Sequence, residues 1–262
     1  MKFLCLHGMG TNAQIFEAQL AQIRTQLVGQ HEFVFLQGEV ETDTAPGIDS
    51  FYPGPYYSFY ELPTKPQVAA ALDLLDEAID DEGPFDGVIG FSQGAALAAS
   101  YMLQDAKRVS PRHPFKCAVF FCASMPFDLD SSPFTIAPDG TARLVGSNQR
   151  ISAAEVRVSI PEASTTSAGG GYAGRWDAET PFLWRYQPSR TIKPRITIPT
   201  THIWAANDRA YRQQSMQLRQ LCLPQHQQVV EHRGGHDIPR DRSTTARMVQ
   251  SIQNMLHAVM VG

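Results

Sequence analysis

The pentapeptide Gly90-Phe91-Ser92-Gln93-Gly94 constrains the fold of this chain more than any other feature, because it lies where a predicted strand meets a predicted helix. An apolar run over residues 85–89 precedes it, and the small residues 94–99 follow it. Such a junction holds the serine in a tight, strained turn, and glycine on either side lets strand and helix approach closely. The pattern predicts an α/β fold with an exposed serine at one edge of its sheet.

Segments of strand and helix type alternate along the chain, which predicts a mostly parallel sheet with helices on both faces. Strands are expected at residues 2–6, 32–36, 85–89, 116–122, 200–206 and 227–231. Helices are expected at about residues 12–27, 68–79, 94–99 and 248–259. Thr11 and Gln14 would form a capping box at the start of the first helix. A chain of 262 residues with 43% hydrophobic content suits a single such domain over residues 1–262.

The other groups of a serine-based triad occur later in the chain, each in a loop after a predicted strand. Asp208 follows the strand at 200–206, and His236 follows the strand at 227–231. Because the carboxyl ends of parallel strands meet at one edge of a sheet, both residues are expected beside Ser92. His236 could then take the proton of the Ser92 hydroxyl, while Asp208 would hold the imidazole in the correct tautomer and stabilise its charged form.

Other residues compete for these roles. Asp128 and Asp130 also follow a predicted strand and are rivals for the role of acid. His232 and His236 have the spacing of a metal site on a helix, but Gly234-Gly235 between them argue against a helix. We therefore predict neither a metal site nor a cofactor.

An oxyanion hole is predicted from backbone N–H groups near the serine. One donor is the residue after the nucleophile, Gln93, and the second comes from the loop after an early strand. Here the strand at 2–6 is followed by His7-Gly8-Met9-Gly10, so Met9 is expected to supply the second N–H. We interpret His7 as a structural residue that holds this loop in place.

Composition argues against several other classes of protein. The net charge of −4 provides no overall positive field for nucleic acid or an anionic membrane. No apolar stretch approaches about twenty residues, so no membrane span is predicted. The first strand begins almost at Met1, so no signal peptide is predicted, and the four cysteines lack C-x-x-C spacing. We expect a cytoplasmic protein with reduced cysteines.

Residues 38–66 form a long predicted loop, and six of the ten residues from 51 to 60 are aromatic. This content is too apolar for an ordinary solvated loop. Either the loop packs as a satellite cluster on the edge of the sheet, or it forms an aromatic wall beside the serine. Long loops in compact domains are usually functional, so we predict the wall, with Tyr56, Tyr57 and Phe59 in the substrate pocket.

A second irregular segment, residues 131–195, is rich in Gly, Ser and Thr at first and carries aromatic residues later. We predict that it folds over the site as a cap or lid, and that Trp184 joins the substrate pocket. The alternative is a surface excursion, above all for residues 140–170.

Five stretches of the chain form a combined pattern, at residues 6–12, 54–61, 87–94, 207–208 and 234–239. Together they resemble the fungal serine-hydrolase family related to the human ovarian-cancer-associated gene 2 protein. Gly-Pro-Tyr-Tyr in the second stretch and Gly-Gly-His-x-x-Pro in the last are more specific than the pentapeptide alone. The resemblance implies an α/β-hydrolase fold, and it carries the nucleophile, acid and base onto Ser92, Asp208 and His236.

The family that the chain resembles includes stand-alone thioesterases that release products from fungal polyketide synthases. The resemblance therefore implies hydrolysis of an acyl thioester through an acyl-enzyme, with release of a polyketide or fatty acyl chain from a carrier protein. The alternative is a carboxylesterase for small or medium esters, and the intact triad argues against a binding protein without turnover. Residues 131–195 depart from the shorter members, so the substrate range does not carry over.

Basic residues follow both the proposed acid and the proposed base. If they border one cleft, they could steer an acidic acyl carrier protein to the serine. Otherwise they form ordinary surface ion pairs with Asp237 and Asp241. The residues concerned are Arg209, Arg212, Arg240 and Arg242.

Overall fold

The computed structural model describes residues 1–136, 141–152, 181–188 and 195–261. Its central sheet has six strands, all parallel. They are β1 (Lys2–Leu6), β2 (Glu32–Leu36), β3 (Gly87–Phe91), β4 (Cys117–Phe121), β5 (Thr200–Ala205) and β6 (Gln227–His232). Their order across the sheet is β6-β5-β4-β3-β1-β2. The strand that leads to Ser92, β3, is therefore paired on both sides, which fixes the position of its carboxyl end.

Five α-helices of the described residues cover the sheet. They are α1 (Ala13–Gln26), α2 (Lys65–Glu82), α3 (Gln93–Asp105), α4 (Arg212–Gln220) and α5 (Arg242–Val261). Successive residues of a strand point to opposite faces. Leu4 and Leu6 of β1 pack in one apolar core with α2 and α3, whereas Phe3 and Cys5 pack in a second with α1 and α5. The predicted fold class, a mostly parallel sheet with helices on both faces, is confirmed.

Within the described ranges, no helix combines the length and the apolar content that crossing a membrane requires.

The start of α1 differs from the prediction. Asn12, and not Thr11, is the N-cap, because the Asn12 side chain accepts a hydrogen bond from the N–H of Ile15 at 2.8 Å. The Thr11 hydroxyl instead donates to the carbonyl of Gly8 at 2.7 Å. Thr11 therefore stabilises the loop after β1, and the cap moves one residue along the chain.

Part of the predicted insertion at residues 131–195 is described. Phe182 forms a β-bridge with Phe134, which joins the two described ends of the insertion. Residues 153–180 lie outside the described part of the chain, so a lid over the site stays a prediction. Three short antiparallel strands form a separate small sheet, and they are Phe134–Ile136, Ala142–Leu144 and Arg150–Ile151.

Ser92 occupies the sharp turn between β3 and α3. Its φ of 51° and ψ of −110° lie outside the regions that non-glycine residues favour. A β-carbon at Gly90 would lie 2.5 Å from the backbone of Ala95, and one at Gly94 would lie 2.2 Å from the carbonyl oxygen of Leu6. Only glycine fits at both positions, so the close approach of strand and helix that the pentapeptide predicts is present.

Replacing Gly94 by alanine tests this packing. In an ordinary helix this change stabilises by about 0.5–1 kcal/mol, but here the added methyl would meet the Leu6 carbonyl at 2.2 Å. Because overpacking costs about 1–3 kcal/mol, we expect Gly94→Ala to lower the urea unfolding midpoint. Gly47→Ala is the control, since a β-carbon there meets nothing within 4 Å and only strains the backbone at a φ of 79°. A Gly94→Ala protein more stable than the wild type would contradict this account.

Candidate active site

Three loops bring Ser92, His236 and Asp208 together at the carboxyl edge of the sheet. The loops follow β3, β6 and β5. Nε2 of His236 lies 2.9 Å from Oγ of Ser92, and Nδ1 of His236 lies 2.7 Å from Oδ2 of Asp208. Both ring nitrogens are therefore engaged, so a proton can pass from the serine to the ring while the carboxylate holds the other nitrogen. The geometry suits a serine nucleophile with its base and acid.

The environments of acid and base differ. The Asp208 side chain is 5% exposed, whereas the His236 side chain is 30% exposed. Burial opposes the charged carboxylate, but the hydrogen bond from His236 and that from the N–H of Tyr211 outweigh it and hold the pKa of Asp208 below its ordinary value. Asp208 is therefore ionised near neutral pH, where its negative charge can stabilise an imidazolium on His236.

Two aromatic rings contact the imidazole of His236. The ring of Tyr211, just before α4, lies 4.3 Å away between centroids at an interplanar angle of 32°. The ring of Phe91, just before the serine, lies 5.1 Å away at 49°. Such contacts restrict the rotation of the imidazole and hold it in the orientation that reaches Ser92.

The rival acids lie elsewhere. Asp128 and Asp130 both form ion pairs with Lys107 near the end of α3, the second at 3.1 Å. The structure therefore gives them a partner of opposite charge and leaves Asp208 as the carboxylate at His236. The turn through Gly235, with a φ of 75°, also rules out a helix between His232 and His236.

One group of potential metal ligands occurs in the described part of the chain. It consists of Cys122, Asp208 and His236, whose ligand atoms all lie within 4.8 Å of one another. Asp208 and His236 already bond to each other, and burial raises the pKa of the Cys122 thiol. Since the thiolate and not the thiol binds metals, Cys122 is a poor metal ligand here, and Asp208 and His236 suit a proton relay to Ser92 better than a metal centre.

The loop after β1 faces the serine, with Met9 and Gln93 on the wall of the same cleft. His7 holds this loop, because its Nδ1 donates to the carbonyl of Gly8 at 2.8 Å and its Nε2 accepts from the N–H of Gly38 at 3.0 Å. Burial lowers the pKa of His7 to about 4, so the ring stays neutral and keeps both bonds. The oxyanion role of the Met9 and Gln93 N–H groups stays a prediction that this placement supports.

A cleft of about 670 Å³ opens beside Ser92, a volume within the usual range of small-molecule sites. Residues 42–48 and 51–52 of the long loop form one side of it. At its mouth the Phe51 side chain is 82% exposed. Aromatic side chains predominate among the large lining residues, and they are Phe51, Tyr52, Tyr60, Phe91, Phe127 and Tyr211.

The four aromatic residues predicted for the substrate pocket are not among those that line the cleft, and they are Tyr56, Tyr57, Phe59 and Trp184. Tyr57 belongs to a two-residue strand that pairs with Val40–Glu41. Phe59 is buried, with its ring centroid 4.8 Å from that of His7. Because successive side chains of an extended segment point to opposite sides, Phe59 faces His7 while Tyr60 reaches the cleft.

Tyr56 and Trp184 are held by other contacts. The Tyr56 hydroxyl donates to the carbonyl of Tyr52 at 2.8 Å, and the Trp184 ring packs on that of Phe134 at 4.8 Å. The long loop does line the cleft as predicted, but with different side chains, which are Phe51, Tyr52 and Tyr60.

Two features of the site have no counterpart in the sequence prediction. The Gln93 side chain accepts from the N–H of Phe59 at 2.9 Å and donates to the carbonyl of Tyr60 at 2.7 Å, which ties the serine turn to the aromatic loop. The buried Arg185 lies in the cleft wall with its guanidinium 4.3 Å from the ring of Phe127. The glutamine inside the pentapeptide is a sequence feature that could have indicated the first contact, whereas no residue pattern near position 185 indicates a role for Arg185.

The predicted basic rim is only partly assembled. Arg240 lines the cleft and donates to the Tyr52 hydroxyl at 3.0 Å. Arg212 instead pairs with Glu231 at 3.2 Å, an ion pair with a different carboxylate from the expected Asp237 and Asp241. The two remaining arginines are exposed, and they are Arg209 and Arg242.

Comparisons with known proteins point to one family. The family described as Serine hydrolase (FSH1) matches residues 1–248 of the chain. Esterase alnB of Emericella nidulans is 34% identical over 258 residues, which cover 91% of this chain and 90% of that protein. Esterase FPY3 of Fusarium mangiferae is 30% identical over 266 residues, which cover 100% of both.

Solved structures share the fold at low sequence identity. SOBER1 of Arabidopsis thaliana is 15% identical with a TM-score of 0.52, and the match covers 98% of this chain and 99% of that one. A carboxylesterase from Mesorhizobium loti is 17% identical with a TM-score of 0.51, over 96% of this chain and 88% of that one. These similarities support the α/β-hydrolase architecture.

Substitutions in the triad test the roles of its members. We expect Ser92→Ala and His236→Ala each to lower kcat on an activated ester by about 10⁶, and the double variant to lose little more, because the two groups act as one unit. Asp208→Asn should cost less, about 10⁴. Asp128→Asn and Asp130→Asn are matched controls. If either control abolished turnover while Asp208→Asn stayed active, the acid would be a different residue.

A substitution at Phe51 tests whether the cleft beside Ser92 binds the substrate. Its side chain lines the cleft but is 82% exposed, so Phe51→Ala should leave Tm unchanged. It should raise KM for long acyl chains more than for short ones, because each buried methylene is worth about 0.8 kcal/mol. Phe59→Ala is the control, since Phe59 is 3% exposed, outside the cleft, and should lower Tm with similar losses at every chain length. The measurement is KM on esters of several acyl chain lengths. An equal rise in KM at every length in Phe51→Ala would contradict this pocket.

Proposed function

The chain belongs to the FSH1 serine hydrolase family, and from that premise we propose that it hydrolyses an acyl thioester through an acyl-enzyme at Ser92. The observation that carries this proposal is the unbroken relay from Asp208 through His236 to Ser92, with contacts of 2.7 and 2.9 Å. The serine at the end of the relay opens on a cleft that has room for an acyl chain.

In the first half of the reaction, Oγ of Ser92 attacks the thioester carbonyl while Nε2 of His236 takes its proton. The negative charge that develops on the carbonyl oxygen is stabilised by the backbone N–H groups of Gln93 and Met9. The tetrahedral intermediate then collapses, the carbon–sulfur bond breaks, and His236 returns the proton to the departing thiol. The acyl group remains as an ester on Ser92.

In the second half, a water molecule replaces the thiol. His236 removes a proton from the water, whose oxygen attacks the acyl-enzyme carbonyl, and the same N–H groups stabilise the second oxyanion. Collapse breaks the bond to Oγ of Ser92, which regains a proton from His236. The product is a free carboxylic acid. Asp208 stays ionised throughout and stabilises each imidazolium.

The walls of the cleft favour an apolar or aromatic acyl group. Phe51, Tyr52 and Phe127 supply large rings, which bind such a group by burying its surface. The family resemblance adds a source for the substrate, namely a polyketide or fatty acyl chain held on a carrier protein.

A second candidate, a carboxylesterase for small or medium esters, is favoured by the names of two relatives. Esterase alnB and Esterase FPY3 are 34% and 30% identical to this chain. Both reactions pass through the same type of tetrahedral intermediate, so one relay serves either. The two differ in the leaving group, a thiol or an alcohol.

Matched substrates distinguish the two candidates. The measurement compares kcat/KM for thioesters and oxygen esters that share one acyl group, over several chain lengths, with Ser92→Ala as the background. We expect kcat/KM for the thioester to exceed kcat/KM for the oxygen ester by a factor larger than the ratio of their uncatalysed hydrolysis rates. A preference for oxygen esters at every chain length would instead identify a carboxylesterase.

The exposed arginines test a carrier-protein partner. Arg209 and Arg242 flank the loops of the acid and the base, and a positive rim would steer an acidic carrier. We expect Arg209→Glu with Arg242→Glu to lower kcat/KM for a carrier-bound acyl chain, chiefly at low salt, and to spare a small free thioester. Arg219→Glu, at the far end of α4, reverses a single charge and is the matched control for each single variant, Arg209→Glu or Arg242→Glu. Equal carrier kinetics before and after the double reversal, at low ionic strength, would remove the docking proposal.

A further inference from the structure

A second histidine lies directly behind the loop of the catalytic base. His232 is the last residue of β6, and its side chain is buried at 4% exposure. Its Nδ1 accepts a hydrogen bond from the backbone N–H of Gly234 at 3.0 Å. Its Nε2 lies 4.0 Å from Sγ of Cys122. Because Nδ1 acts as an acceptor, the neutral ring carries its proton on Nε2.

Two hydrogen bonds from successive backbone N–H groups to side-chain acceptors hold the loop between His232 and His236. The first is the bond from Gly234 to the buried imidazole, and the second runs from the N–H of Gly235 to Oδ1 of Asn207 at 3.1 Å. Asn207 is exposed, so water can replace its amide if it is removed. The bond from Gly234 is partly buried because its acceptor belongs to the buried His232 ring, so water replaces that acceptor less readily than the exposed amide of Asn207.

The fit between the ring and the loop is close. A β-carbon at Gly234 would lie 3.3 Å from Nδ1 of His232, and Gly235 takes a φ of 75°. The N–H of Asp237 then bonds to the carbonyl of Gly235 at 2.8 Å, which closes the turn around His236. The position of the catalytic imidazole is thus set by a short turn that starts at His232.

We propose that His232 is a positioning residue for the catalytic base, whose unprotonated Nδ1 anchors the Gly234–Gly235 turn and thereby holds His236 within reach of Ser92. This inference rests on the proposed roles of Ser92 and His236 and is independent of the thioester substrate. The bond from Gly234 to His232 holds only while the His232 ring is neutral.

The anchor is sensitive to acid. Burial lowers the pKa of His232 below its ordinary value of 6.5, so the anchored turn favours the neutral ring. Protonation would place an N–H against the N–H of Gly234. The anchored state is therefore fully stable above the ordinary pKa and weakens as the pH falls below it toward the lowered pKa. The groups that face the ring are Asp208, Asp237, Asp241 and Arg247, together with the Cys122 thiol.

Three variants separate positioning from general packing. His232→Leu fills similar space without an acceptor. His232→Asn restores an acceptor, because an asparagine side chain readily bonds to the N–H two residues further on, the relation of residue 232 to Gly234. Asn207→Ala removes the exposed partner of the same turn. The readouts are the rate of fluorophosphonate labelling at Ser92 and kcat and KM on p-nitrophenyl butyrate, with Tm for each protein.

We expect His232→Leu to slow labelling and lower kcat by about 10²-fold with little change in KM, since a displacement of about 1 Å costs that much. His232→Asn should stay within about tenfold of the wild type, and Asn207→Ala within about threefold, because water can take over an exposed bond. At low pH the labelling rate of the wild type should fall as two protons bind, which gives a steeper fall than one proton would. In His232→Asn the rate should fall as for a single proton.

Two results would overturn the inference: a folded His232→Leu that labels at the wild-type rate, or a His232→Asn that keeps the steep acid limb. If His232→Leu does not fold, the pH profile of His232→Asn decides. A wild-type protein that is never labelled at Ser92 would sink the proposed roles of the triad, and this inference with them. Normal labelling with unaffected variants would sink the positioning role alone.

Discussion

The contact between β3 and α3 at Ser92 is the constraint on which the rest of the site depends. A β-carbon at Gly90 or Gly94 would approach backbone atoms within 2.5 Å, so strand and helix meet only through glycine. The resulting turn holds the serine at a φ of 51°, a strain on the order of 1–3 kcal/mol. Sheet pairing on both sides of β3 and a 2.9 Å bond from the Ser92 N–H to the carbonyl of Phe121 keep it in place. The same turn puts Gln93 at the start of α3, where the helix favours negative charge.

The parallel sheet converts this one turn into an active site. The loops after β5 and β6 bring Asp208 and His236 to the edge where β3 ends. The loop after β4, the strand between β3 and β5, adds Phe127 to the cleft. The Gln93 side chain then ties the long aromatic loop to the serine turn. Nucleophile, base, acid and cleft wall thus share one rigid framework, which is what a site with tolerances of a fraction of an ångström requires.

The sequence predicted those parts of the molecule that depend on periodic patterns or on chain order. The alternation of strands and helices predicted the sheet, and the positions of Ser92, Asp208 and His236 after three of its strands predicted which residues would meet. The aromatic loop has no period, so its composition indicated a wall but not which side chains face it, and Phe59 turned to His7 instead. Arg185 depends on contacts across the fold that no local pattern encodes, whereas the anchor at His232 is a local bond to the N–H of Gly234 that no periodic pattern indicates.

The most direct test of the account is whether the acyl group passes through Ser92. The enzyme is mixed rapidly with a slow acyl ester, quenched in acid, and analysed by intact mass and peptide mapping during turnover. The account predicts an acyl adduct on the peptide that contains Ser92, formed at least as fast as the product and absent from Ser92→Ala. Turnover without an adduct at Ser92, or with the acyl group on another residue, would contradict it.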